Sequence, residues 1–216
     1  DYTKLLVDAM PLLETTRTPD ATRTDATVVE AQSLHKIYGQ GASQVHALND
    51  ASFALRAGET LGVVGESGSS KSTLAKTLIR LIEPTERALL INEADFLELS
   101  EKSLQDARRQ IQMIFQDPYG SLNPTQTVGD IITRGPILRG VSSREAKAQA
   151  MELLELVGLK PEAYYRTPRN FSGGQRQRIG VARSLSMNPD VIIADESVSA
   201  LDLSIQKQVL RLMNEL

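Results

Sequence analysis

Cysteine is absent from all 216 residues, which excludes disulfides and thiolate-bound zinc and fits a cytoplasmic chain. Long apolar runs are absent too. No stretch approaches the roughly 20 residues that a helix needs to span a bilayer, so membrane association would go through a partner. A basic excess is also lacking. The 24 Lys and Arg stand against 27 Asp and Glu, a formal net charge of −3, with no electrostatic footprint for nucleic acid. The chain opens at Asp1 with neither Met nor a signal-like stretch and stops at Leu216 within a helical pattern, so both ends read as cut from something longer. What is present, 41% hydrophobic and 24% charged, suits a globular domain with one substantial core or a core and a smaller subdomain.

Hydrophobic periodicity orders the rest. Residues 1–14 (DYTKLLVDAMPLLE) have the spacing of a short amphipathic helix ended by Pro11. Residues 15–27 hold six threonines, two arginines, two aspartates and a proline, and almost nothing apolar, the composition of a linker. Such a chain has an end-to-end distance of roughly 20 Å. Strands are expected at VVEAQSL (28–34), ASFAL (51–55), TLGVV (60–64), LLIN (89–92), IQMIF (111–115) and VIIAD (191–195). TLGVV is short, apolar and followed at once by a Gly/Ser-rich turn, as a buried parallel strand would be. Helices are expected at STLAKTLIRLI (72–82, stopped by Pro84), at SREAKAQAMELLELVGL (143–159, with a Ser N-cap and Gly158 near its end), at 172–185 and in the closing SIQKQVLRLMNEL. Alternating strands and helices predict an α/β domain with a mainly parallel sheet and a helical insertion over about 118–170.

Three segments carry chemistry. GESGSSKST (65–73) lies between an expected buried strand and a helix. There Gly65, Ser67, Gly68, Ser69 and Ser70 form a turn whose backbone N–H groups can approach phosphate oxygens. Lys71 supplies charge to the terminal phosphates, and Ser72 and Thr73 place hydroxyls at the helix start, Ser72 toward a magnesium ion. The usual pattern, GxxxxGK(S/T), has glycine where this chain has Ser70. Serine at that position is expected to weaken nucleotide binding. VIIADES (191–197) puts two carboxylates at the end of an apolar strand, where ligands collect in open α/β sheets. Asp195 would hold Mg²⁺ through water and Glu196 would polarise the attacking water. In FSGGQRQRIGVARSL (171–185), Ser172, Gly173, Gly174 and Gln175 open a helix with a hydroxyl and bare N–H groups, reinforced by the helix dipole, facing an anion. Taken singly, each has a plainer reading, as a Ser-rich turn, a solvated acidic turn or a surface helix cap; their order along one chain argues against that.

From about residue 28 onward these motifs resemble the ATP-binding cassette family. The resemblance implies a P-loop NTPase fold of that type with an added antiparallel β part and a helical subdomain. It implies ATP and Mg²⁺ as ligands and an active site shared between two cassettes, the phosphate loop and acidic strand of one facing the SGGQ of the other. It further assigns Tyr38 (LHKIYG) to stacking on adenine, Gln116 (IQMIFQDPYGSLNP) to Mg²⁺ and the γ-phosphate, and Ser199–Asp202 (SALD) to contact between cassettes. FQDPYGSLNP and GETLGVVGESGS are similar to cassettes of di- and oligopeptide importers, a group that includes nickel importers. DYTKLLVDAMP is similar to the tail motif of that subfamily, which follows a cassette; placed before the linker, it implies a first cassette fused upstream, the alternative being an unrelated helix. The implied partners are that second cassette, two transmembrane permease subunits and an extracytoplasmic substrate-binding protein, with the cassette peripheral on the cytoplasmic face of the membrane and no nucleic acid involved.

The departures from the family pattern are Ser70 for glycine, Ser197 for proline, and Arg87 and Glu93 for glycines. The histidine that contacts the γ-phosphate is expected beyond Leu216; His35 and His46 precede the phosphate loop and cannot take that role. Besides a peptide-importing ATPase, two readings stay open at this level. One is a regulatory cassette with weak turnover, motivated by Ser70. The other is a soluble, non-transport cassette ATPase, against which stand the negative net charge and the lack of long coiled coils, zinc modules or basic arms.

Overall fold

The computed structural model describes residues 26–66, 68–92 and 94–195, which fall into two compact units, one reaching to Ile111 and the other beginning at Gln112. The expected N-terminal helix, nearly all of the expected linker, the closing helix, the SALD loop, Ser67, Glu93, Glu196 and Ser197 lie outside the described residues.

The first unit is built on an antiparallel sheet of order β2-β1-β3-β4: β1 Thr27–Tyr38, β2 Val45–Arg56, β3 Glu86–Ile91 and β4 Ala94–Asp95. β1 starts at Thr27, paired with Arg56, so the expected linker gives up its last residue to the strand. On β1 the buried side chains are Val29, Ala31 and Leu34. The step from two residues to three follows from a bulge: the register shifts between Ala31 and Leu34, with Ser33 at φ 48°. One extra residue there returns the apolar face to the core.

TLGVV does not form a strand. Leu61, Val63 and Val64 are 45%, 52% and 97% exposed. A parallel strand makes no hydrogen bonds of its own, and a five-residue segment stays out of the ladder, however apolar, unless neighbours pair with it. The helix expected over 72–82 is α1, Lys71–Leu78. It stops early because Arg80, at φ 52°, closes a Schellman turn: Arg80 N–H donates to Thr77 O at 2.9 Å and Leu81 N–H to Lys76 O at 2.9 Å. A left-handed residue is unfavourable for arginine, but this side chain is held by Glu83 and by the carbonyls of Phe96 and Leu99. α2, Glu101–Gln110, was not expected from its sequence, because Leu104 is its one buried residue and leaves no apolar stripe to read. Arg108 fastens it by donating to Ile79 O and Arg80 O.

The second unit takes in all of β5, Ile111–Ile114, but its first residue, and β5 pairs with β6, Val191–Ala194. Asp195 N–H donates to Ile114 O at 3.1 Å, so the carboxyl ends of the two strands lie side by side. This pair is what the described residues show of the expected parallel sheet. Between the strands every described element is helical: α3 Pro118–Ser121, α4 Val128–Leu138, α5 Ser143–Leu156, two 3-10 turns at Pro161–Tyr165 and Pro168–Asn170, and α6 Gly173–Leu185. α4 is entered through a capping box in which Thr127 and Asp130 bond each other's backbone N–H. α5 is capped by Ser142, one residue before the segment predicted. It ends with Gly158 at φ 70°, whose neighbour Leu159 donates back to Leu154 O. The core packs Val128, Ile131 and Ile132 of α4, Ala150 and Leu154 of α5 and Ile179, Val181 and Ala182 of α6 against Ile114.

Candidate functional site

The phosphate-loop segment turns into α1. Gly68 (φ 83°) and Ser70 (φ 64°) are both left-handed, and the turn is tied by Ser69 N–H to Glu66 O at 3.1 Å and Leu74 N–H to Ser70 O at 2.9 Å. The Lys71 ammonium folds into this turn and donates to Gly65 O and Glu66 O, each at 2.8 Å, and to Ser69 Oγ at 3.4 Å. A side chain at Gly65 would bring its Cβ to 2.5 Å from Ser69 Oγ, whereas Gly68 faces open space. The result is an exposed turn with a cation at its centre and the positive end of a helix behind it. Ser72 and Thr73 occupy the first turn of α1, and Thr73 O accepts the Thr77 hydroxyl at 2.8 Å. Tyr38 closes β1 opposite Val45, 41% exposed, with Lys36 Nζ 5.1 Å above its ring.

In the second unit, Gln116 follows β5 and is exposed, while Asp195 follows β6 and is 8% exposed. The Asp195–Ile114 bond brings these two expected magnesium-site residues to one end of one strand pair. No group of three or more His, Cys, Asp or Glu suited to a metal occurs among the described residues. At this strand end the described donors are the Gln116 amide and the Asp195 carboxylate, oxygen ligands of the kind that suit a hard ion.

The SGGQ segment forms the N-terminus of α6. Ser172 Oγ accepts from Gln175 N–H at 3.4 Å, and Gln175 Oε1 accepts from Ser172 N–H at 3.0 Å. This capping box satisfies the cap and third-position donors and leaves the N–H groups of Gly173 and Gly174 as the helix's outward donors. Gly173 lies beside Tyr119, whose ring carries the Arg176 guanidinium 4.2 Å from its centroid. Sequence reasoning missed what holds this helix in place. Gln177, 2% exposed, donates through Nε2 to Phe115 O at 3.2 Å, and Arg183 Nη1 donates to Ser121 O at 2.6 Å. Burial pushes the Arg183 pKa below the ordinary arginine value. The available signal was a glutamine on the apolar stripe of α6, in line with Val181 and Ser184.

The model of the ABC transporter family matches residues 48–199. The chain belongs to this family. Among curated relatives, this cassette is 51% identical over 174 residues to a probable peptide ABC transporter ATP-binding protein, y4tS, of Sinorhizobium fredii, covering 80% of the chain and 49% of that protein. It is 47% identical to the oligopeptide transport ATP-binding protein AppF of Bacillus subtilis, covering 88% and 60% respectively. The chain thus spans about half to three-fifths of the length of these relatives. Among solved structures it is similar to the dimeric ATP-binding cassette MJ0796 in a post-hydrolysis state bound to ADP and Pi, with a TM-score of 0.81, 30% identity, and coverage of 87% of this chain and 83% of that one. The α/β cassette fold of the P-loop ABC type is thereby established. No helix of the described residues is long and apolar enough to cross a membrane.

Proposed function

We propose that this cassette binds and hydrolyses ATP to drive uptake of di- or oligopeptides through a membrane permease. The observation that carries the reading is Lys71, set by two carbonyls at the centre of a glycine-opened turn on a helix N-terminus. The names of the relatives supply the peptide. A magnesium nucleotide fits these residues: Gly65 and Gly68 keep side chains off the turn, and Lys71 offers charge to the terminal phosphates. Ser72, Gln116 and Asp195 would hold Mg²⁺, which when bound supplies neutralising charge to the phosphate oxygens. Tyr38 offers a half-open ring to the base. Ser67, Ser69, Ser70 and Thr73 complete the loop. Ser172, Gly173, Gly174 and Gln175 would meet the nucleotide of an opposing cassette, since two glycine N–H groups facing outward suit an anion that the same chain does not supply.

Glu196 orients the attacking water or takes its proton. The helical segment of about 118–170 acts as a subdomain that meets the cytoplasmic helices of two permease subunits, supported by the exposure of Tyr119 (64%), Leu138 (71%) and Tyr165 (63%). An upstream cassette fused through residues 15–26, a substrate-binding protein outside the membrane and a peripheral position on its inner face complete the proposal.

The test is Glu196→Gln in the full-length protein, with ATP titration and phosphate release measured together. Binding should hold within about twofold while turnover falls about 100-fold; equal turnover by variant and parent would sink the assignment. Stimulation of the reconstituted transporter by peptide, and not by Ni²⁺, separates the two cargoes. A second reading, a cassette that binds nucleotide but turns it over slowly, is favoured by the left-handed backbone at Ser70; single-turnover hydrolysis at parental protein concentration decides it.

A further inference from the structure

Gln177 is an odd resident of a helix core. It is 2% exposed, its Nε2 donates to Phe115 O, and its Oε1 has no partner among the described residues. A buried amide that makes half its bonds is no aid to stability, and an apolar side chain of similar size would serve the core as well or better. The donor is what distinguishes it. Two more donors of α6 act alongside: Ser184 Oγ donates to Met113 O at 3.3 Å, and Arg183 Nη1 donates to Ser121 O at 2.6 Å. All three target main-chain carbonyls, and the carbonyls of Phe115 and Ser121 bracket Gln116 and Asp117 on either side. Arg176, on the same helix, adds a guanidinium over Tyr119 of α3. The segment from β5 to α3 is thus fixed by the helix whose first turn is the Ser172–Gln175 capping box.

We infer that Gln177 is a positioning residue for Gln116: its bond to Phe115 O holds the peptide unit from which Gln116 projects. This rests on the reading of Gln116 as a residue of the magnesium site. The link is short and ends on backbone, so it bears on where Gln116 sits without touching the other residues assigned to that site.

The experiment is a double-mutant cycle in the full-length protein, with Gln177→Met, Gln116→Ala and both. Each variant is assayed for ATP affinity, kcat and thermal midpoint. Gln177→Met should keep ATP affinity within about twofold, melt within about 2 °C of the parent and lower kcat about 3- to 10-fold, the scale of one lost hydrogen bond. In the Gln116→Ala background it should cost nothing further, because the residue it positions is gone. An equal loss in both backgrounds, or no loss in the parental one, overturns the positioning role. A parental rate for Gln116→Ala alone overturns the reading of Gln116 and the positioning role with it, and is told apart because the failure then lies in that single variant. Should the Met variant melt early, the same cycle is run with Arg183→Lys, which loosens Ser121 O instead, and is read in the same way.

Discussion

Replacing Ser70 by glycine asks what a departure from the phosphate-loop pattern costs. Residue 70 sits at φ 64°, ψ 20° as the N-cap of α1, and its side chain makes no cap hydrogen bond. The left-handed angle is imposed by the protein's own bonds, Ser69 N–H to Glu66 O before it and Leu74 N–H to Ser70 O after it. A non-glycine residue there costs about 1 kcal/mol or more, and glycine removes that cost while making the unfolded chain more flexible by ~0.5–1 kcal/mol. The net gain in stability is then between nothing and about 1 kcal/mol, an upward shift of the melting midpoint of at most ~4 °C for a domain of this size. Because the strain belongs to the turn itself, little of it should appear in binding. ATP affinity should change by less than about threefold, well short of the 5- to 30-fold that ~1–2 kcal/mol spent wholly on the nucleotide would give. Thermal unfolding without nucleotide and ATP titration of Ser70→Gly, run side by side on the full-length protein, separate the two. A tenfold rise in affinity with no change in melting would show that serine obstructs the phosphates, and the argument from internal strain would fail.

Ser172→Ala removes the acceptor of the α6 capping box and should destabilise the second unit by about 1 kcal/mol, a drop of ~2–4 °C in melting midpoint; an unchanged midpoint would mean that the box is not formed in solution. Gly174→Asp puts a charged side chain beside one of the two outward N–H groups and should leave ATP binding intact while abolishing ATP-dependent pairing of cassettes, followed by size-exclusion chromatography. Loss of ATP binding by the unpaired protein would contradict a signature that serves the opposing site. Gly129→Ala drives a methyl group into the ring of Tyr164 and should cost about 1–3 kcal/mol in chemical denaturation; a neutral result would show that the ring can turn away.

What could be read from the sequence was whatever a local pattern carries. The SGGQ segment reads as a helix start with a serine cap, and the ends of β5 and β6 are apolar runs closed by polar residues, so both are legible as local patterns. Tyr38 and Gln116 could be named only through family resemblance, since a tyrosine at a strand end or a glutamine after a strand has no signature of its own, whereas Asp195 stands out as a carboxylate closing an apolar strand. Three kinds of feature were not legible. The bulge at Ser33 is a register event, invisible unless the partner strand is known. The early stop of α1 at Arg80 depends on Glu83 and on the carbonyls of Phe96 and Leu99, which repay a backbone angle that arginine otherwise avoids. TLGVV has the composition of a buried strand, but strandhood is conferred by neighbours, and composition cannot supply them. Gln177 belongs to a fourth kind, because its spacing sets it on the buried face of α6 while its polarity favours the surface. Such a conflict between pattern and polarity is where a side chain is held for its hydrogen bond and not for its packing. In this chain that bond ends on the carbonyl next to Gln116.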